Sequence, residues 1–185
     1  MARIVGASID VETTGLISGV HEIVEMSIIL HNEKFMPMER FTTAIKPMHP
    51  ERADMDALLA NGLSLVELKT APTPPQIRNA FFQWHQDVAQ GRRIIPLGHN
   101  FSFDKSFLKL FFGDYYDEYF YYKNRDTFTA AQLLKDCGLL DPGQSLSLGK
   151  LCEEFKIPHV AHTSHGDAIA TLILYRKLMA LTRKA

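Results

Sequence analysis

The stretch "RIVGASIDVETTG", residues 3–15, constrains the fold of this chain more than any other. Its Ile, Val and Ala residues predict a buried strand that ends at Glu12, because "TTGL" then supplies turn chemistry. Two further runs of strand character, "HEIVEMSIIL" and "RFTTAIKP", follow after short connections. Three strands in succession predict an antiparallel meander. Past Pro50 the pattern becomes helical. "ERADMDALLANG" has apolar residues at helical spacing and ends in Asn-Gly, while "TPPQIRNAFFQWHQDVAQG" begins with prolines and ends in glycine. "RRIIPLGHN" then reads as a short strand, "FDKSFLKLFFG" as a helix ending at Gly113, and "DTFTAAQLLKDCG" as a helix capped by Asp126 or Thr127. "SLSLGKLCEEF" and the long "GDAIATLILYRKLMALTRK" complete the set. Strands first and helices interleaved later predict an α/β fold, a mixed sheet covered by helices. One domain over residues 1–185 is expected, since domains commonly hold about 100 to 150 residues.

The end of the first strand also carries chemistry. Asp10 and Glu12 are two apart, so their side chains project to one face. Two like charges this close repel, and burying them is costly unless something compensates. A divalent cation is the natural partner, and hard oxygen ligands favour magnesium or manganese. A solvated edge strand with acids at its tip is the competing reading. Asp104 falls in the first turn of a helix, where the dipole favours an anion and capping alone would also account for it.

The fourth acid, Asp167, lies in "HVAHTSHGDA", residues 159–168. Ser164, three residues before it, resembles the start of a capping box and is the expected N-cap. His165 and Asp167 then point about 200° apart on the helix, so His165 turns away from any site Asp167 faces. His162 precedes the cap, and its imidazole can fold back over the first turn. Surface or supporting roles are expected for His159 and His165. The three-residue spacing of the histidines raises a zinc site, but Gly, Ser and Thr stand where a ligand-bearing helix needs helix formers, and neither cysteine lies in the segment.

Composition narrows the partners. Twenty basic against 21 acidic residues give a net charge of -1, so no global field draws the chain onto nucleic acid, and any such contact must be local. Cys137 and Cys152 are too few for a disulfide framework and lack Cys-x-x-Cys spacing; reduced, buried thiols are expected. "MARIVGASID" reaches an aspartate before any signal-peptide core, and no apolar run approaches roughly 20 residues. A cytoplasmic protein without membrane contact is expected.

In order, the acids sit in "DVETTG", "HNFSFDKSFL" and "HTSHGDA". Together these resemble the DEDD exonuclease superfamily, specifically its DnaQ-like, histidine-bearing branch, related to the proofreading subunit of bacterial DNA polymerase III. The resemblance continues between the motifs. "EIVEMSIIL" is similar to the family's second strand, "RDTFTAAQLL" to its Asp-Thr helix, and "SLSLGKLCEEFKIP" to the helix before the histidine. Two departures stand out: "ANGLS" (60–64) replaces a common His-Gly pair, and Phe101 is bulkier than the usual small residue after His-Asn.

The resemblance implies a ribonuclease H-like fold, a mixed five-stranded sheet with three antiparallel strands first, flanked by helices. It implies that Asp10, Glu12, Asp104 and Asp167 bind two Mg2+ or Mn2+ ions that clamp a phosphodiester. It makes His162 the general base, an imidazole whose unperturbed pKa near 6.5 suits proton acceptance at neutral pH. Backbone groups of Thr13 and Thr14 would hold the 3'-terminal sugar, with Leu16 near the base and His99 and Asn100 supporting the site or a phosphate. Phe103 is expected in the core. The first expectation is a 3'-5' exonuclease releasing nucleoside 5'-monophosphates from single-stranded DNA ends. An exoribonuclease of the RNase T or oligoribonuclease kind, or a catalytically silent nucleic-acid-binding module, competes with it. No residue reports on a 2'-hydroxyl. The Tyr-rich "DYYDEYFYYKNRD" could stack bases, with packing the favoured reading, and Arg92 and Arg93 read as solvated charge. A freestanding nuclease, a repair factor and a subunit docked to a polymerase partner all fit, as do monomer and homodimer. No docking tail is expected after the last helix.

Overall fold

The computed structural model describes residues 4–183, and strand β1 (Ile4–Thr13) is its organising element. β1 lies between β2 (Ile23–Asn32), antiparallel, and β4 (Pro96–Gly98), parallel. β3 (Pro37–Ala44) and β5 (Arg125–Asp126) form the edges of a five-stranded mixed sheet of order β3-β2-β1-β4-β5. The expected meander is therefore present. The third strand sits three residues earlier than "RFTTAIKP" suggests, and its side chains are mostly exposed because an edge strand has only one neighbour to pack on.

Alternation along β1 sorts its side chains between two layers. Ala7, Ile9 and Val11 join Met26, Ile28 and Leu30 in the main core, under α3 (Pro74–Ala89), α4 (Ser102–Phe112) and the short α5 (Tyr116–Tyr119). Phe81, Phe101, Phe107, Phe112, Tyr116, Tyr119 and Phe120 fill that layer. The opposite face is covered by α8 (Ser164–Thr182), where the buried Ser8 hydroxyl donates to the Ala168 carbonyl at 2.7 Å. Ala168 and Leu172 of α8 pack there with Ile29 and Leu97. Asp10 and Glu12, in step with Ser8, are thereby sent to the α8 face.

Around this frame sit α1 (Met55–Asn61), α2 (Leu65–Leu68), α6 (Thr127–Asp136) and α7 (Leu148–Glu154). Asp54 caps α1, which is shorter than its sequence pattern because Pro50–Arg52 forms a separate 3-10 turn. Asp126, rather than Thr127, caps α6. The Tyr-rich segment forms a 3-10 turn and α5; Tyr116, Tyr119 and Phe120 are buried, while Tyr115 and Tyr122 remain exposed. Cys152 is buried and Cys137 is exposed at the end of α6, so the expectation of two buried thiols holds for only one; both are free. Among the described residues no helix is long and apolar enough to cross a membrane.

Candidate functional site

The C-terminal half of β1 and the first turn of α8 converge on one acidic cluster. Carboxylate oxygens of Asp10, Glu12 and Asp167 all lie within 4.8 Å of one another. Asp104 stands in the first turn of α4, and its Oδ1 accepts the Val11 backbone N–H at 3.1 Å. That bond fixes Asp104 to β1 between Asp10 and Glu12. It offsets part of the desolvation of a carboxylate that is only 5% exposed.

Burial dominates the electrostatics, and crowding of like charges adds to it. Desolvation lifts Asp10 well above the usual carboxylate range, and the neighbouring Asp104, Asp167, Glu12 and Glu25 push it further. Desolvation likewise raises Asp104, against the lowering effect of its bond to Val11. Glu12 is pushed from 4.5 to about 7, first by desolvation and then by Asp167 and Glu25. Among the described residues the sole ion-pair partner of these four carboxylates is His159. Hard oxygen donors held together at this cost, with no lysine or arginine to neutralise them, fit a divalent cation.

The start of α8 differs from its sequence reading by one residue. Thr163, not Ser164, is the N-cap, and its hydroxyl accepts the Gly166 N–H at 3.1 Å. Ser164 is the first helical residue and fully buried. The three histidines take three directions. His159, expected in a surface or supporting role, is largely buried, and its Nε2 pairs with Asp167 Oδ1. His162 is exposed in a left-handed turn with φ of 60°, and its backbone N–H donates to Asp167 Oδ2 at 3.2 Å. His165 turns away and meets Arg40 of β3 at 3.3 Å. Gly166 permits this arrangement, because a Cβ there would overlap the Val160 carbonyl as the 158–162 segment folds over the helix start.

Thr13 and Thr14 are buried, and much of their hydrogen-bonding capacity is already engaged. The Thr13 carbonyl accepts from Asn61 Nδ2 at 3.0 Å, the Thr14 carbonyl from Asp54 N–H at 2.7 Å, and Thr14 N–H donates to the Glu22 carbonyl. Asn61 thus braces the end of β1. Leu16 protrudes beside them, 75% exposed. His99 is partly buried, bonds through Nδ1 to Thr127 Oγ1 at 2.8 Å, and has its pKa lowered by desolvation. Asn100 is exposed with φ of 59°. The Asp126 carboxylate anchors that turn, accepting from the N–H groups of Asn100 and Phe101 as well as Phe128 and Thr129. Sequence reasoning missed Glu25, which stands directly across from Glu12 in the β1–β2 ladder.

Comparisons with known proteins bear on the fold and the family. Among solved structures, Exonuclease I of E. coli in complex with a dT13 oligonucleotide superposes with a TM-score of 0.77 at 17% identity, over 98% of this chain and 42% of that one. The zinc ion-bound form of the E. coli ExoI–ssDNA complex gives 0.80 at 18% identity, over 98% and 42%. A moderately thermophilic Exonuclease I from Methylocaldum szegediense gives 0.74 at 19% identity, over 95% and 39%. At such identities the likeness establishes the fold, and the chain spans about two fifths of these proteins' length. No curated protein matches the chain significantly. The RNase T exonuclease family model, however, matches residues 7–175, which takes in every acid of the cluster, and the chain therefore belongs to that exonuclease family.

Proposed function

We propose that this nuclease is a metal-dependent 3'-5' exonuclease that releases nucleoside 5'-monophosphates from single-stranded DNA ends. The observation that carries the reading is the convergence of Asp10, Glu12 and Asp167 oxygens within 4.8 Å, with Asp104 bonded to the strand between them. In this reading the four carboxylates hold two Mg2+ or Mn2+ ions. When bound, such ions supply charge stabilisation for phosphodiester hydrolysis. Support for DNA comes from the fold's likeness to E. coli Exonuclease I solved with dT13 and with dA16 oligonucleotides.

The chain's own groups divide the remaining work. His162 acts as general base, an imidazole able to accept a proton from water near neutrality. Its backbone N–H on Asp167 ties it to the acids while its side chain stays free in the exposed turn. Leu16 offers an apolar face to the terminal base, and the braced Thr13–Thr14 corner seats the terminal sugar. His99 and Asn100, anchored on Thr127 and Asp126, back the site on its α4 side. The contact of His159 with Asp167 favours a second reading, in which His159 is the imidazole that serves the acids.

The deciding experiment offers 5'-labelled DNA and RNA oligonucleotides with Mg2+ to the protein and to Asp10→Ala. A ladder shortening from the 3' end, lost with chelator and in the variant, is expected on DNA. Shortening of RNA alone would move the reading to an exoribonuclease. Intact oligonucleotides in every lane would leave a silent nucleic-acid-binding module.

A further inference from the structure

Glu25 is a fifth carboxylate at the cluster, and the proposed reaction gives it no task. It faces the same side of the sheet as Glu12, since directly paired residues of an antiparallel ladder share a face. Its Oε1 accepts two hydrogen bonds from one residue 139 positions away, the Ser164 backbone N–H at 2.8 Å and the Ser164 hydroxyl at 2.6 Å. Ser164 is fully buried and opens α8. Four residues further on, Ser8 of β1 holds the Ala168 carbonyl. The first turn of α8 is thus pinned to two adjacent strands. On one side of Ser164 lies the left-handed turn of His162, and on the other lies Asp167.

A carboxylate in this place is costly, because it adds negative charge beside Asp10 and Glu12. Two charge-assisted hydrogen bonds and the positive end of the helix dipole offset that cost. We infer that Glu25 is a positioning residue: it clamps Ser164 so that α8 starts in one place, which fixes Asp167 against β1 and the His162 turn against Asp167. The inference rests on the proposed roles of Asp167 and His162, and it assigns Glu25 no contact with substrate or metal.

Two variants separate clamping from charge. Glu25→Gln keeps an oxygen that can accept from Ser164 but removes the charge; Glu25→Ala removes both. Each is tested for kcat, KM and half-saturating Mg2+ on a 5'-labelled dT oligonucleotide, with amide hydrogen exchange of residues 160–168 as a readout independent of activity. Glu25→Gln is expected to keep kcat within about threefold, because the acceptor survives. Glu25→Ala is expected to lose about 100-fold in kcat with KM and Mg2+ dependence little changed, the cost of an ångström-scale misplacement. Exchange at 160–168 should accelerate about tenfold or more in Glu25→Ala and not in Glu25→Gln. Unchanged exchange or unchanged kcat in Glu25→Ala overturns the clamp. Equal losses in both variants with raised half-saturating Mg2+ overturn it in favour of a metal ligand. A wild-type protein that leaves all oligonucleotides intact refutes the exonuclease reading instead, while the exchange measurement still decides the clamp.

Discussion

Replacing Glu12 with glutamine should stabilise the metal-free protein while disabling it. The Glu12 carboxyl titrates at about 7 in the fold and at 4.5 ordinarily. Below pH 4.5 both folded and unfolded chains carry the proton, and Glu12 contributes no penalty. Between 4.5 and 7 the folded state binds more protons than the unfolded one, so stability falls as pH rises. Above 7 the loss is complete. At about 1.4 kcal/mol per pH unit this amounts to about 3 kcal/mol. Partial solvation of the carboxylate reduces that to about 2 kcal/mol. For a chain of this size, each kcal/mol moves the melting temperature by about 2 to 4 °C, so Glu12→Gln should melt about 4 to 8 °C higher.

Thermal melting followed by circular dichroism in EDTA at about pH 8 and about pH 5 measures this directly. The advantage of Glu12→Gln should shrink to under about 1 kcal/mol at the lower pH, where the wild-type carboxyl is protonated in the fold. Adding Mg2+ at pH 8 should narrow or reverse the order, because an ion that binds only the folded protein stabilises it by mass action and the variant has lost a ligand. The reasoning fails if Glu12→Gln is no more stable than wild type at pH 8 in EDTA, or if the difference is the same at both pH values. Either result would mean that the cluster is solvated well enough to carry its charges without a cation.

Single-turnover cleavage of labelled DNA should fall about 100-fold or more in His162→Ala, the usual worth of a general base, and change little in His165→Ala. Were His159→Ala to lose as much while His162→Ala stayed near wild type, the base would be His159, as its contact with Asp167 would then indicate. At the loop beyond Thr14, His21 Nδ1 accepts the Ile17 N–H at 3.0 Å, and a Cβ on Gly15 would come within 2.5 Å of the His21 ring. Gly15→Ala should therefore lower the melting temperature by several degrees, about 1–3 kcal/mol of overpacking, and much of that loss should disappear in a Gly15→Ala/His21→Ala double variant. Additive losses in the double variant would show that His21 and Gly15 do not meet.

The parts of the site readable from sequence were those set by local periodicity. Asp10 and Glu12 share a face because strand side chains alternate, and no distant contact is needed to know it. Asp104 was placeable because a helix start was visible after "GHN". The start of α8 slipped by one because Thr163 and Ser164 are adjacent and either can cap. The choice falls to Ser164 being consumed by Glu25, a contact across 139 residues that no local pattern encodes. Glu25 itself looked like an ordinary strand residue, since only the β1–β2 register sets it opposite Glu12.

The histidines show the same boundary more sharply. Spacing on a helix correctly separated His165 from Asp167, but His159 and His162 precede the helix, where periodicity has no force. Their positions follow from the path of residues 158–162 over Gly166, the close approach to the Val160 carbonyl, and the left-handed turn at His162. That path brings the outer histidine inward and leaves the nearer one exposed. A residue's distance in sequence from Asp167 therefore does not rank its access to the acids. The backbone bond from His162 to Asp167 Oδ2 and the side-chain bond from His159 to Oδ1 occupy both oxygens of the same carboxylate. Each of those oxygens keeps a further lone pair, so an ion on Asp167 would share this carboxylate with His159 and the His162 backbone, and the 159–162 segment would orient the ligand.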